Sequence, residues 1–235
     1  MKTNKRIYLA SPHMMGNELK YVKDAFDTNW IAPLGPYVNK LEEDFKTYMG
    51  LPGATALASG TAALHLAIKL AGVKEGDYVF CSSLTFSASA NPIVYENATP
   101  VFIDSEPGSY NMSPEALEKA FEKYTPKAVV IVSLYGMPAT MDKLIKICKK
   151  HKVTIIEDAA ESLGATYKGK LVGTFGDYNV ISFNGNKIIT TSGGGMLLTK
   201  KEKDAKKALF WATQAREPAR YYQHKEIGYN YRMSN

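Results

Sequence analysis

The chain has 235 residues, of which 45% are hydrophobic and 22% charged, a balance that excludes a disordered chain and supplies a packed core for one large domain or a domain and a half. Its formal net charge of +6 comes from scattered lysines without a basic-aromatic stripe, which reads as a solvated surface and argues against a nucleic-acid partner. Cys81 and Cys148 lie far apart with no metal-ligand spacing and no disulfide framework, and no apolar run approaches membrane-spanning length, so neither a metal nor a membrane is expected and the cytoplasm is the default compartment.

Residues 1–15 start basic, but Ser11, Pro12 and His13 break an apolar run already too short for a signal peptide. Residues 62–71 (AALHLAIKLA) predict a helix closed by Gly72. Residues 77–82 predict a short strand, 86–95 a helix interrupted at Pro92, and 99–104 another strand. Ser113 and Pro114 open the next helix as N-cap and first helical residue, and it runs to about Tyr124. Residues 128–134 are apolar but for Ser133 and read as a buried strand. An amphipathic helix over 141–151 and a strand over 153–158, ending in two carboxylates, follow. Strands at 179–183 and 196–199 and a helix over 201–211 with a charged outer face complete the pass. Apolar strands separated by helices predict an α/β fold, three αβα layers around a mainly parallel sheet. Ligands on such sheets bind beyond the carboxyl ends of the strands, so residues just after strands are the candidates.

Four features stand there. Ser59-Gly60-Thr61 opens the helix at Ala62, where free amides and the helix dipole favour a phosphate; a plain N-cap is the bland alternative. Asp158 ends a buried strand, where an acid holds a protonated ring nitrogen, a metal or a ribose, or merely caps a turn. Lys187 lies between an apolar strand and the run Gly193-Gly194-Gly195, which is otherwise a flexible turn; a desolvated lysine is a nucleophile. Phe86 follows a strand and offers either a stacking plate or core packing. Together they are the parts that pyridoxal 5'-phosphate (PLP) chemistry requires: a phosphate cradle, an aromatic plate, a carboxylate for the ring nitrogen and a lysine that traps the carbonyl.

At these residues the chain resembles the DegT/DnrJ/StrS family of sugar aminotransferases, fold type I PLP enzymes. The resemblance rests on residues 58–65, Thr85-Phe86, residues 156–164, 182–195 and 228–233, in the family's order through nearly the whole chain. It implies that the catalytic pair is Lys187, forming the Schiff base, and Asp158, pairing with the pyridine nitrogen. It places Phe86 over one ring face and Gly60, Thr61 and Ser182 on the phosphate. Glu161 falls near the ring hydroxyl; many relatives have Gln there, and a carboxylate must be protonated or otherwise paired to avoid repelling the phenolate. Asn230 would reach the cofactor phosphate of a neighbouring subunit, so the resemblance implies a homodimer with shared sites.

Residues 29–35, 184–193 and 213–217 look like those of enzymes that aminate UDP-linked 4-keto-6-deoxy-N-acetylhexosamines at C4, with L-glutamate as donor. The first half-reaction would leave pyridoxamine phosphate and 2-oxoglutarate. Trp30, Ile31, Pro33 and Arg216 are the implied sugar-nucleotide contacts. The whole of residues 1–235 then reads as a PLP-binding large domain with its N-terminal segment. The family's smaller C-terminal domain is expected to be absent, which keeps a truncated, non-catalytic or regulatory PLP-binding fragment as the alternative. A sugar dehydratase on the same fold would carry histidine in place of Lys187. A nucleotide-binding oxidoreductase would need a glycine fingerprint that Ser59-Gly60-Thr61 lacks.

Overall fold

A computed structural model describes Arg6, Tyr8 and residues 10–235; the basic first residues of the segment 1–15 lie outside the described part. The described elements begin with helices α1 (Glu18–Asp27) and α2 (Pro36–Met49) and strand β1 (Gly53–Leu57). Next come α3 (Gly60–Leu70), β2 (Tyr78–Ser82), α4 (Asn91–Tyr95), β3 (Thr99–Ile103), α5 (Pro114–Ala120) and β4 (Pro126–Val132). The chain continues through α6 (Met141–Lys150), β5 (Thr154–Asp158), the small hairpin β6 (Thr166–Tyr167) and β7 (Lys170–Leu171), then β8 (Tyr178–Ser182), β9 (Gly195–Thr199) and α7 (Glu202–Ala212).

The main sheet is 7-stranded in the order β1-β9-β8-β5-β4-β2-β3. Its pairs from β8 to β3 are parallel, while β9 runs antiparallel to both of its neighbours. Side chains alternate across a strand, and here both faces are apolar. In β4, Ala128 and Val130 join the cluster beneath α3, α4 and α7, whereas Val129 and Ile131 join the one beneath α5 and α6. In β9, Leu197 points to the α3 side, and Met196 and Leu198 point to α2. This is the expected three-layer αβα architecture with a mainly parallel sheet. Among the described residues no helix is long and apolar enough to cross a membrane.

The structure corrects the element pattern in two places. The helix expected over 86–95 is broken: Phe86 is extended (φ −71, ψ 144), a single 3-10 turn covers Ser87–Ser89, and α4 starts only at Asn91. Pro92 has no N–H to give and is accommodated in the first turn of a helix, not in its interior. The second correction is the run before residue 62, where no element was expected and α1, α2 and β1 stand. Strand β1 (GATAL) has only Thr55 as a β-branched residue, yet all five residues are buried. Its small side chains let its neighbours close in: a Cβ on Gly53 would meet Thr199 Oγ1 at 2.1 Å. Helix α2 lacks a local cap. The Asn235 side chain supplies it, Oδ1 accepting from the Tyr37 amide at 2.8 Å and the Val38 amide at 3.3 Å.

The segment carrying Asn235 is fastened along β1. The Ala58 amide donates to the Tyr231 carbonyl at 2.7 Å, and Leu57 bridges to Arg232. The buried Arg232 guanidinium pairs with Glu42 of α2 and donates to the Ala56 carbonyl at 3.0 Å, while Glu42 accepts from the Ala56 amide at 2.7 Å. Removing one partner of a buried pair leaves the other charge uncompensated. Arg232→Ala is therefore expected to cost about 3 kcal/mol of stability in urea unfolding. Glu42→Ala in the same chain should recover part of that loss; an additive double variant would show that the pair is not coupled.

Candidate active site

The carboxyl ends of β4, β5 and β8 and the N-terminus of α3 enclose a cavity of about 290 Å³. Its phosphate-type end is built on the start of α3. Ser59 is the N-cap, its Oγ accepting from the Ala62 amide at 3.0 Å, and the Ala63 amide reaches the Ser59 carbonyl at 3.2 Å. Helix geometry leaves the next amides, those of Gly60 and Thr61, without a carbonyl. Both residues line the cavity beside Ser182. The cap and the anion cradle are thus compatible parts of one turn.

Close approach explains the glycines. A Cβ on Gly60 would stand 3.0 Å from Ser182 Cβ and 3.2 Å from Ser182 Oγ, so the missing side chain lets the start of α3 lie against the end of β8. A Cβ on Gly195 would stand 2.5 Å from the Gly60 nitrogen. The glycine run is therefore a packing requirement at its last member, beyond any freedom of the turn.

The opposite end carries charge. Asp158 is 5% exposed; its Oδ2 accepts from Ser89 Oγ at 2.7 Å and its Oδ1 from the Ala160 amide at 3.1 Å. Ser89 is paired in turn with Thr85 Oγ1 at 2.8 Å. Burial pushes the Asp158 carboxyl above the ordinary carboxylate range, while the Ser89 and Ala160 donors and the Lys187 charge pull it back. The Lys187 side chain is 12% exposed, and its Nζ lies 3.2 Å from Glu161 Oε1. Glu161 Oε2 accepts from the Tyr135 amide at 2.9 Å. Phe86 also lines the cavity but is 71% exposed, which core packing does not account for. Among the described residues no group of three or more His, Cys, Asp or Glu side chains is placed to hold a metal ion.

These side chains fit PLP. The open α3 amides, with Ser182 beside them on the cavity wall, suit a phosphate. The buried, hydrogen-bonded Asp158 suits a protonated ring nitrogen, and the Lys187 amine is inside the same cavity. Asn230 is not: it is exposed, bridged to Thr213, and accepts from Gln214 Nε2 at 3.3 Å. Trp30, Ile31 and Pro33 occupy the loop between α1 and α2, away from the cavity wall, and the Trp30 carbonyl accepts from Asn235 Nδ2 at 3.2 Å. Arg216 is exposed, with its guanidinium 4.4 Å above the Tyr222 ring. The structure thus brings together the cofactor candidates of one chain and leaves the sugar-nucleotide candidates outside. Sequence reasoning missed Ser89 and Tyr135. Ser89 had a signal, a polar residue in a run expected to be helical. Tyr135 had none, because it acts through its backbone.

Known proteins are similar to this chain in sequence and fold. The Bacillus subtilis (strain 168) protein EpsN, whose name describes a pyridoxal phosphate-dependent aminotransferase, is 59% identical over 99% of this chain and 61% of its own length. GDP-perosamine synthase of Caulobacter vibrioides is 43% identical over 98% of this chain and 62% of its own. The solved PLP form of the sugar aminotransferase Spr1654 from Streptococcus pneumoniae superimposes with a TM-score of 0.89 at 27% identity, covering 98% of this chain and 64% of that one. The chain thus spans about three fifths of the length of the curated relatives it matches. The family model described as the DegT/DnrJ/EryC1/StrS aminotransferase family matches residues 12–235, and the chain belongs to that family.

Proposed function

We propose that the chain is the PLP-binding part of an aminotransferase that aminates a nucleotide-linked keto sugar. The observation that carries this reading is one cavity holding the Lys187 amine, the buried Asp158 carboxylate and the open amides of α3. When bound, the cofactor supplies a carbonyl that takes up amines and a ring that draws electrons from the bond being broken. The rest falls to the chain. The amides of Gly60 and Thr61, with Ser182, hold the phosphate. Asp158 pairs with the ring nitrogen, held for it by the Ser89 hydroxyl and the Ala160 amide. Phe86 covers the ring and keeps water from that face. Lys187 anchors the carbonyl and, once displaced, takes and returns a proton at Nζ. Glu161 stands at the ring-hydroxyl side, and its pairing with Lys187 and the Tyr135 amide relieves the repulsion a bare carboxylate would exert. Asn230, exposed, serves a second copy of the chain across a homodimer. The two cysteines, Cys81 and Cys148, are free and offer no disulfide framework, which supports the proposal of a reducing compartment, the cytoplasm.

For the finer substrate we propose L-glutamate as donor and a UDP-linked 4-keto-6-deoxy-N-acetylhexosamine as acceptor, supported by the residue patterns at 29–35, 184–193 and 213–217. The relatives named GDP-perosamine synthase, at 43% and 42% identity, favour a second reading in which the nucleotide is GDP. In calorimetric titrations of the PLP-loaded chain, UDP- and GDP-linked 4-keto sugars should separate. Tighter binding of the UDP sugar supports the first reading, tighter binding of the GDP sugar the second, and Arg216→Ala should weaken whichever binds.

The cofactor assignment has its own test. The chain with PLP should develop a visible absorption band that borohydride bleaches, leaving the cofactor mass on the Lys187 peptide. Lys187→Ala should abolish the band, and a band unchanged in that variant would overturn the assignment.

A third expectation concerns Ser89. Its hydroxyl favours the ionised Asp158, so Ser89→Ala should raise the Asp158 carboxyl further and leave it neutral at higher pH. The variant should then lose bound PLP at a higher pH than the parent chain as the solution is acidified. Equal release profiles would remove Ser89 from the site.

A further inference from the structure

Residues Leu134–Gly136 follow β4 as a tight turn with two successive left-handed residues, Tyr135 (φ 49, ψ 34) and Gly136 (φ 83). That conformation suits glycine and is unfavourable for tyrosine. The Tyr135 ring gains nothing visible from it, being 69% exposed. Its backbone does: the Tyr135 amide donates to Glu161 Oε2 at 2.9 Å. What enforces the turn is a residue from the loop between β3 and α5. Asn111, 2% exposed, grips both ends: its Oδ1 accepts from the Leu134 amide at 2.9 Å and its Nδ2 donates to the Met137 carbonyl at 3.0 Å. An outer contact, Ser133 Oγ accepting from the Ala139 amide at 3.3 Å, closes the same segment.

We propose that Asn111 is a positioning residue for Lys187, acting through the Tyr135 amide and Glu161; the inference rests on the reading of Lys187 as the amine that takes the cofactor. The path is continuous. Asn111 fixes the turn, the turn aims one N–H, the N–H holds one oxygen of Glu161, and the other oxygen lies 3.2 Å from Lys187 Nζ. Strained backbone kept in place at a site edge is what such a device requires. Glu161 without this donor rotates away, and Lys187 loses the contact that holds its amine in place before the cofactor arrives.

The test uses the chain without cofactor, so it stands whether or not PLP binds; failure of the cofactor assignment is read separately, from the visible band. Each variant is treated with limiting acetic anhydride at one mildly alkaline pH, and acetylation of Lys187 relative to the other lysines is read by mass spectrometry. The reagent needs an amine free of its partner, and Lys187 Nζ is held against Glu161 Oε1 at 3.2 Å. Glu161→Gln should raise Lys187 acetylation several-fold. Asn111→Ala should raise it too, by less, and the Asn111→Ala, Glu161→Gln double variant should not exceed Glu161→Gln alone. Tyr135→Asn keeps the amide and tolerates the left-handed turn, so it should match the parent chain. Should Asn111→Ala unfold, Gly136→Ala loosens the same turn at the surface: its Cβ meets nothing nearer than the Glu161 carbonyl oxygen at 3.7 Å, but must adopt the φ of 83. Parent-level acetylation in the folded turn variants, or an effect that adds to that of Glu161→Gln, would overturn the proposal.

Discussion

Backbone meets backbone at the head of the site, and no side chain fits between. Gly195 opens β9 directly against the Ser59–Gly60 peptide, and Gly60 in turn faces Ser182 at the end of β8. Three chain segments distant in sequence share this point. Because β9 runs antiparallel to β8, the chain must leave the sheet at its carboxyl edge after Ser182 and return to the same edge at Gly195. The loop between them is pinned at its neck, the Phe183 amide donating to the Gly194 carbonyl at 2.9 Å and the Thr191 amide to the Phe183 carbonyl at 3.0 Å. Lys187 lies in that loop. Its position over the cavity follows from the one antiparallel strand and from the glycines that let this strand begin beside α3.

The second constraint is the alternation of side chains along β5. Glu157 and Asp158 are adjacent, both buried and both pushed upward by burial, yet they point to opposite faces and meet different donors. Glu157 is taken up by structure: its oxygens accept from the amides of Gly173 at 2.8 Å and of Phe175 at 2.7 Å, which ties down the loop before β8. Asp158 receives one hydroxyl and one amide and still lines the cavity. A buried carboxylate that has all its donors in the chain is scaffold. One that lies in a cavity beside an amine is available to a ligand.

This difference sets what the sequence made legible. Apolar strands and helix periodicity from residue 62 onward predicted the layers, residue type at strand ends pointed to Gly60, Thr61, Phe86, Asp158 and Lys187 together, and the family resemblance added Ser182. Those residues are chosen by chemistry that only their side chains, or their lack of one, can perform. The segment before residue 62 was not legible, because β1 is built of small residues whose burial depends on β9 and α7, and because α2 takes its cap from Asn235. The 86–95 run was misread because Pro92 permits a first turn as readily as it interrupts a helix. Tyr135 stayed hidden because a backbone amide leaves no mark on residue identity.

The same logic separates cofactor from substrate. PLP presents a phosphate, a ring nitrogen and a carbonyl, each demanding a specific partner, so in the proposed function most of its partners lie close together in one chain, with Asn230 coming from a second copy. A sugar nucleotide in the proposed function must bring only its keto carbon to Lys187; its base and diphosphate extend outward. UDP and GDP differ at the base, the part farthest from the chemistry. On the proposed reading, discrimination between them would fall to surfaces outside the cavity, such as the Trp30–Pro33 loop and the Arg216–Tyr222 pair. Nothing in the proposed transamination constrains those residues. Agreement in the cofactor cavity accordingly supports the reaction more strongly than it supports any one nucleotide.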